Sequence, residues 1–189
     1  MADWLCCSSL FFIAKAQSQE SISTSKAYFH SINQVGLLEG ERGSAFQIQT
    51  INGVQYKSWY AGIGLGIDYY QIRGIPLFLD IRKEFVKRKV FVYADGGVHY
   101  PWPTDNQNMM PISLTTGNFE NGLYADVGMG YQFVFTRHNS LVLSLGYSYK
   151  KVTQKTSTTI CPFNGPCYVN KQEINYDLNR LSIKIGFAF

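Results

Sequence analysis

Charge is scarce in this 189-residue chain: Asp, Glu, Lys and Arg make up 16% of it, and only three histidines accompany them. Long apolar runs are missing too. The longest are short stretches such as Leu10-Phe11-Phe12-Ile13-Ala14, far below the roughly 20 apolar residues of a spanning helix, which excludes a helical membrane protein. The formal charge of +4 is small and scattered. Its one cluster, Lys87-Arg88-Lys89, reads as a solvated turn between strands, because no wider basic face accompanies it; nucleic acid is not implied as a partner. Cysteine is limited to four residues, two of them the adjacent pair Cys6-Cys7.

What is abundant is aromatic and small: thirteen Tyr, thirteen Phe, three Trp and seventeen Gly. These residues fall into segments that alternate with period two, the spacing of a half-apolar strand. Residues 59–70 place Trp59, Ala61, Ile63, Leu65, Ile67 and Tyr69 on one face and Tyr60, Gly62, Gly64, Gly66, Asp68 and Tyr70 on the other. Similar alternation runs through 45–50, 77–82, 123–135 and 141–149. It recurs at the C-terminus, where Leu181, Ile183, Ile185, Phe187 and Phe189 share a face. Two less regular segments, 28–38 and 90–100, bring the expected strands to eight.

The connections are of two kinds. Those at 39–43, 71–75, 101–121 and 154–175 include both long loops, whereas those near 55–58, 87–89 and 137–139 are tight. Such asymmetry is that of an all-β, eight-stranded, antiparallel up-and-down transmembrane β-barrel. Asn52-Gly53 is a hairpin signal, but a turn there puts Gln55 and Lys57 on the face of Trp59, so the turn is expected later.

Alternation alone does not distinguish a barrel that is apolar outside from a soluble carrier that is apolar inside. The minor face decides. It carries Gly62, Gly64, Gly66, Gly128, Gly130, Gly146, Ser182, Gly186 and Ala188, which suit a crowded eight-stranded lumen rather than a wet surface. The apolar face then meets lipid, with Tyr56, Trp59, Tyr131 and Tyr147 as an aromatic girdle. On the inner face the charged residues Asp80, Arg82, Glu84, Asp95, Asp126, Arg180 and Lys184, with Asp68 and His99, predict a paired ionic network that plugs the lumen.

Residues 1–16 read as a signal peptide, with an apolar core over 5–13 and a small-x-small site at Ala14-Lys15-Ala16 before Gln17. Its start, Met1-Ala2-Asp3-Trp4, lacks the usual basic residue. A short N-terminal segment follows over 17–26, and the barrel occupies 27–189. Export makes a disulfide between Cys161 and Cys167 plausible, since Pro162, Asn164, Gly165 and Pro166 favour a reversal between them. No metal site is indicated at these cysteines, because no nearby His adds ligands, and no cofactor is implied.

Several stretches together resemble the small outer-membrane β-barrel proteins of Bacteroidetes-type bacteria. They are the signal followed by Gln, the segment Gln49-Thr50-Ile51-Asn52-Gly53-Val54-Gln55-Tyr56, the Gly62-x-Gly64-x-Gly66 run, Ile75-Pro76-Leu77-Phe78-Leu79-Asp80-Ile81-Arg82 and the terminal Phe189. The architecture is similar to the outer membrane protein A barrel, which also has an ionic core. The resemblance implies localisation in a bacterial outer membrane, with outer-membrane lipids as partners. It also implies that Phe187 and Phe189 form an insertion signal read by the barrel-assembly machinery.

The function indicated is an integral outer-membrane barrel with a structural or surface-interaction role and an unidentified extracellular ligand. Alternatives are a narrow pore for small solutes or a lipid A-modifying enzyme. The enzyme reading requires a nucleophile, a base and an orienting acid. His30 and Ser31 are adjacent and so point to opposite faces; His138 lies in a turn; His99 shares a face with Asp95 without an evident nucleophile. No catalytic constellation is expected.

Overall fold

A computed structural model describes residues 27–85, 89–102, 115–136, 139–160 and 165–189. The segments 1–16 and 17–26 lie outside the described residues, as do Lys87, Arg88, His138 and Cys161.

The strands are β1 (Tyr28–Gly40), β2 (Gly43–Tyr56), β3 (Trp59–Asp68), β4 (Gly74–Phe85), β5 (Val90–Pro101), β6 (Thr115–Glu120), β7 (Gly122–Val134), β8 (Ser140–Ile160) and β9 (Tyr168–Ala188). All pairings are antiparallel. Because β1 pairs with both β2 and β9, and β8 with both β7 and β9, eight of the strands close on themselves and leave no open edge in the barrel wall. The closure is reinforced where Ser31 and Phe189 exchange backbone hydrogen bonds of 2.7 and 2.9 Å.

The register fixes the barrel's dimensions. Stepping across paired residues from Phe29 leads through Val54, Ala61, Ile81, Ala94, Val127, Tyr147 and Leu181 to Glu39, ten residues further along β1 than the start. That stagger belongs to strongly tilted strands, and eight of them enclose a bore just wide enough for side chains to fill.

Burial follows the alternation. Leu79, Ile63, Met129 and Leu145 are all more than half exposed, whereas Tyr60, Phe78, Phe91 and Tyr124 are buried on the inner face. The glycines of the inner face make room for these rings: a Cβ on Gly64 would fall on the ring of Phe78, and one on Gly146 on the hydroxyl of Tyr93. Of the expected girdle, Tyr56, Trp59 and Tyr131 lie near the rim of tight turns and Tyr147 further up; each is exposed on the outer face. The turn after β2 falls at Lys57-Ser58, with Lys57 at φ 57°, while Asn52 and Gly53 continue the strand.

Two segments read as loops contain strand. The expected loop 154–175 is largely an extension of β8 and β9, which stay paired from Tyr149 and Asn179 out to Ile160 and Tyr168. Thr, Lys, Gln and Asn dominate there, so the stretch has strand pairing without an apolar stripe. Within 101–121, β6 pairs with β8 beyond the end of β7. Between the pairs Glu120–Thr153 and Tyr124–Lys150, β6 and β7 hold three residues where β8 holds two, which is a one-residue bulge. Gly122 sits in it, where a Cβ would collide with the Lys151 carbonyl. The outcome is a three-stranded blade, β6–β8–β9, rising from one side of the rim.

A sealed lumen beneath a surface vestibule

Reading from the tight-turn rim inward, the first ionic contact joins neighbours on β4. The Arg82 guanidinium donates from Nε to both Asp80 oxygens at 3.0 Å and from Nη2 to Oδ2 at 2.8 Å. Tyr60, Phe91 and Tyr93 wall it in, with ring centroids 5.9, 5.3 and 5.7 Å from the guanidinium carbon. Glu84 is nearer the rim, lining a small cleft with His30, Gln55 and Gln132.

Asp80, Asp95 and Asp126 occupy successive strands in direct register, an arrangement that repels unless cations bridge it. Lys184 supplies the bridge from the facing wall, with Nζ 2.8 Å from Asp126 and 3.6 Å from Asp95. The Asp126 carboxylate also accepts hydrogen bonds from Tyr93 at 2.9 Å and Ser182 at 3.2 Å.

An amide layer comes next. Gln34 donates to Gln49 at 2.7 Å, and Gln49 donates to the Tyr124 hydroxyl at 2.9 Å. Above it Asp68 is held by two cations, Arg180 at 2.5 Å and Lys150 at 3.1 Å. Arg180 also donates to Ser148 at 2.8 Å, and Lys150 to the carbonyls of Tyr70 and Ile72 at 2.8 and 3.0 Å. Leu38, Tyr70 and Leu178 then cap the bore with an apolar layer.

Among the described residues the buried charges balance: Asp68, Asp80, Asp95 and Asp126 against Arg82, Lys150, Arg180 and Lys184, four of each. Balance is the condition for keeping ions in a low-dielectric interior, where an unpaired one costs several kcal/mol. Lys150 and the Gln34–Gln49–Tyr124 layer lie outside the expected ionic network. The alternating pattern contains them: Lys150 follows Ser148 by two on the inner face, one residue past the expected strand 141–149.

His99 does not meet Asp95. The two are four residues apart on one strand, about 13 Å at the usual rise, and Asp95 turns to Lys184. The imidazole instead lies over Gly74, and its nitrogens make no hydrogen bond among the described residues. His30 packs edge-on between Tyr28 and Tyr60, with centroids 6.1 and 5.9 Å away. Among the described residues no group of three or more His, Cys, Asp or Glu is placed to hold a metal.

The polar cavities open above the cap. One of about 300 Å³ is lined by Glu41, Arg42, Tyr70 and residues 175–179, and another of about 210 Å³ by Arg42, Gln71, Phe119, Gln154 and Tyr176. Arg42 stacks over the Tyr176 ring at 5.9 Å. The blade beside them carries a surface ion pair, Lys155–Glu120 at 2.7 Å, in which the carboxylate holds the ammonium's pKa above its usual range. Near the blade's tip Cys167 is exposed and disulfide-bonded.

No family model and no curated protein matches the chain. Solved structures do. The outer membrane protein OprG from Pseudomonas aeruginosa aligns with a TM-score of 0.50 at 13% identity, over 87% of this chain and 95% of its own. Neisserial surface protein A gives 0.49 at 12%, over 86% and 97%. The outer membrane protein AlkL, determined in DMPC bilayers, gives 0.49 at 8%, over 100% and 96%. At such identities the likeness is one of fold: the chain is a closed, antiparallel, eight-stranded β-barrel of the outer-membrane type.

Proposed function

We propose that this protein is an integral barrel of a bacterial outer membrane, closed to solutes, that acts at the cell surface through its blade and vestibule. The observation that carries the reading is the filling of the bore. Side chains occupy it from Glu84 to Leu38, while among the described residues the polar cavities of about 300 and 210 Å³ lie at the mouth. A rigid scaffold that carries its variable chemistry on projecting segments is a common way to build a binding surface. The apolar outer wall supports contact with outer-membrane lipid. Phe187 on the last strand and Phe189 just beyond it are both exposed and suit an insertion signal for the assembly machinery. Pairing of Cys161 with Cys167 would pin the tip of the blade.

The test is conductance across a planar bilayer. The folded barrel is expected to give no steady current, and protease applied to intact cells is expected to cut the blade while sparing the barrel. A stable ohmic conductance from the unmodified protein would favour the pore instead. A lipid A-modifying activity draws no support from the surroundings of His99.

A further inference from the structure

The outward positions in the middle of the wall are apolar with one interruption. Ser31 and Asn33 on β1 stand in register with Asn52 and Thr50 on β2. Alternation turns all four to the side of Val35 and Ile48, away from the lumen, with Ser31 itself buried. Ser31 donates to Asn52 at 2.8 Å. Asn33 is exposed, stands sixth of the thirteen residues of β1, and makes no side-chain hydrogen bond among the described residues. Beside it a groove of about 480 Å³ runs along the outer wall between Val35, Ile48, Leu65, Ile67, Ile185 and Phe187, with Asn33 and Thr50 in its lining.

Hydrocarbon has no water to satisfy an amide, so this face calls for an occupant with both donors and acceptors. We propose that it is the contact surface between two copies of this chain in the membrane. The inference rests on the reading of the protein as a membrane barrel. Copies inserted by one route share one orientation, so a closed pair is related by a twofold axis along the membrane normal. A residue near that axis meets its own counterpart. A charge there would repel itself, whereas a carboxamide or hydroxyl is self-complementary because it carries donor and acceptor together. Asn33 and Thr50 are both of this kind, and the groove beside them gives depth for outward side chains of the facing wall.

The experiment uses donor- and acceptor-labelled protein reconstituted in phosphatidylcholine vesicles, with energy transfer followed against protein density. The unmodified barrel is expected to self-associate. Asn33→Leu with Thr50→Val is expected to raise the density required at least tenfold, and Asn33→Gln, which keeps donor and acceptor, to retain association. A cross-linker at residue 33 is expected to trap dimers, while one at Val127, on the far wall, is not. Folding of each variant is checked by its heat-modifiable migration on a gel. Folded, vesicle-bound monomers at every density overturn the inference alone. So does a double variant that associates as well as the parent, or one that loses a bound lipid with no change in association. A chain that fails to float with the vesicles overturns the membrane reading with it.

Discussion

Arg180 on β9 and Asp68 on β3 meet across the bore at 2.5 Å, joining walls 112 residues apart in sequence. Lys150 on β8 shares the same carboxylate at 3.1 Å, so one acid holds two cations and three strands at the base of the surface vestibule. Asp68→Ala leaves both cations buried without their carboxylate. We predict a loss of about 3–5 kcal/mol, the usual effect of breaking a buried pair. It is read from urea unfolding of the barrel in detergent micelles. A loss below 1 kcal/mol would mean that water reaches this layer.

Gly64 illustrates a second dependence, between the small residues of one strand and the rings of the next. Phe78 lies where a side chain on Gly64 would stand. Gly64→Val is expected to destabilise the barrel by at least the roughly 1–3 kcal/mol typical of overpacking. Phe78→Ala in the same chain should recover part of the overlap but leave a void. The measurement is the unfolding midpoint of the two single variants and their combination, and the prediction is that the combination is less destabilised than the sum.

Gly122 makes the bulge that lets β6 follow on from β7. Gly122→Ala would drive a methyl into the Lys151 carbonyl, so it should disturb the junction of barrel and blade. Hydrogen exchange is expected to rise at residues 118–124 and 150–154 while the tight-turn half of the barrel keeps its protection. Uniform loss of protection would place the bulge within the cooperative unit of the barrel.

Reduction of the disulfide should affect the blade alone. With Cys161→Ser and Cys167→Ser the barrel's unfolding free energy is expected to stay within about 0.5 kcal/mol of the parent, the range of substitutions away from packed features. Proteolysis near the blade tip is expected to quicken. An unfolding shift as large as that of Asp68→Ala would show that the tip is coupled to the bore.

The barrel was legible in the sequence because its physics is local. A wall with lipid on one side and a crowded bore on the other imposes period two on every strand, and Trp59 to Asp68 displays that period almost without exception. The blade was not legible for the same reason. Residues 153–159 and 169–175 keep strand pairing but none of them is buried, so no apolar face marks them out. Within the bore, which residues face inward could be read, but which cation meets which acid could not. Lys184 joins Asp126 and Arg180 joins Asp68 because of the ten-residue stagger accumulated around the barrel, a property of the closed sheet rather than of any segment.

The central claim is the sidedness of the wall, and a spin label tests it most directly. On a background with the native cysteines replaced, labels are placed at Leu79, 61% exposed on the outer face, and at Ser144, buried on the inner face. After reconstitution in vesicles the Leu79 label is predicted to relax strongly with dissolved oxygen and weakly with a water-soluble nickel chelate, as in hydrocarbon, while the Ser144 label meets neither. A Leu79 label that collides freely with the chelate, in protein that stays folded without lipid or detergent, would contradict the account.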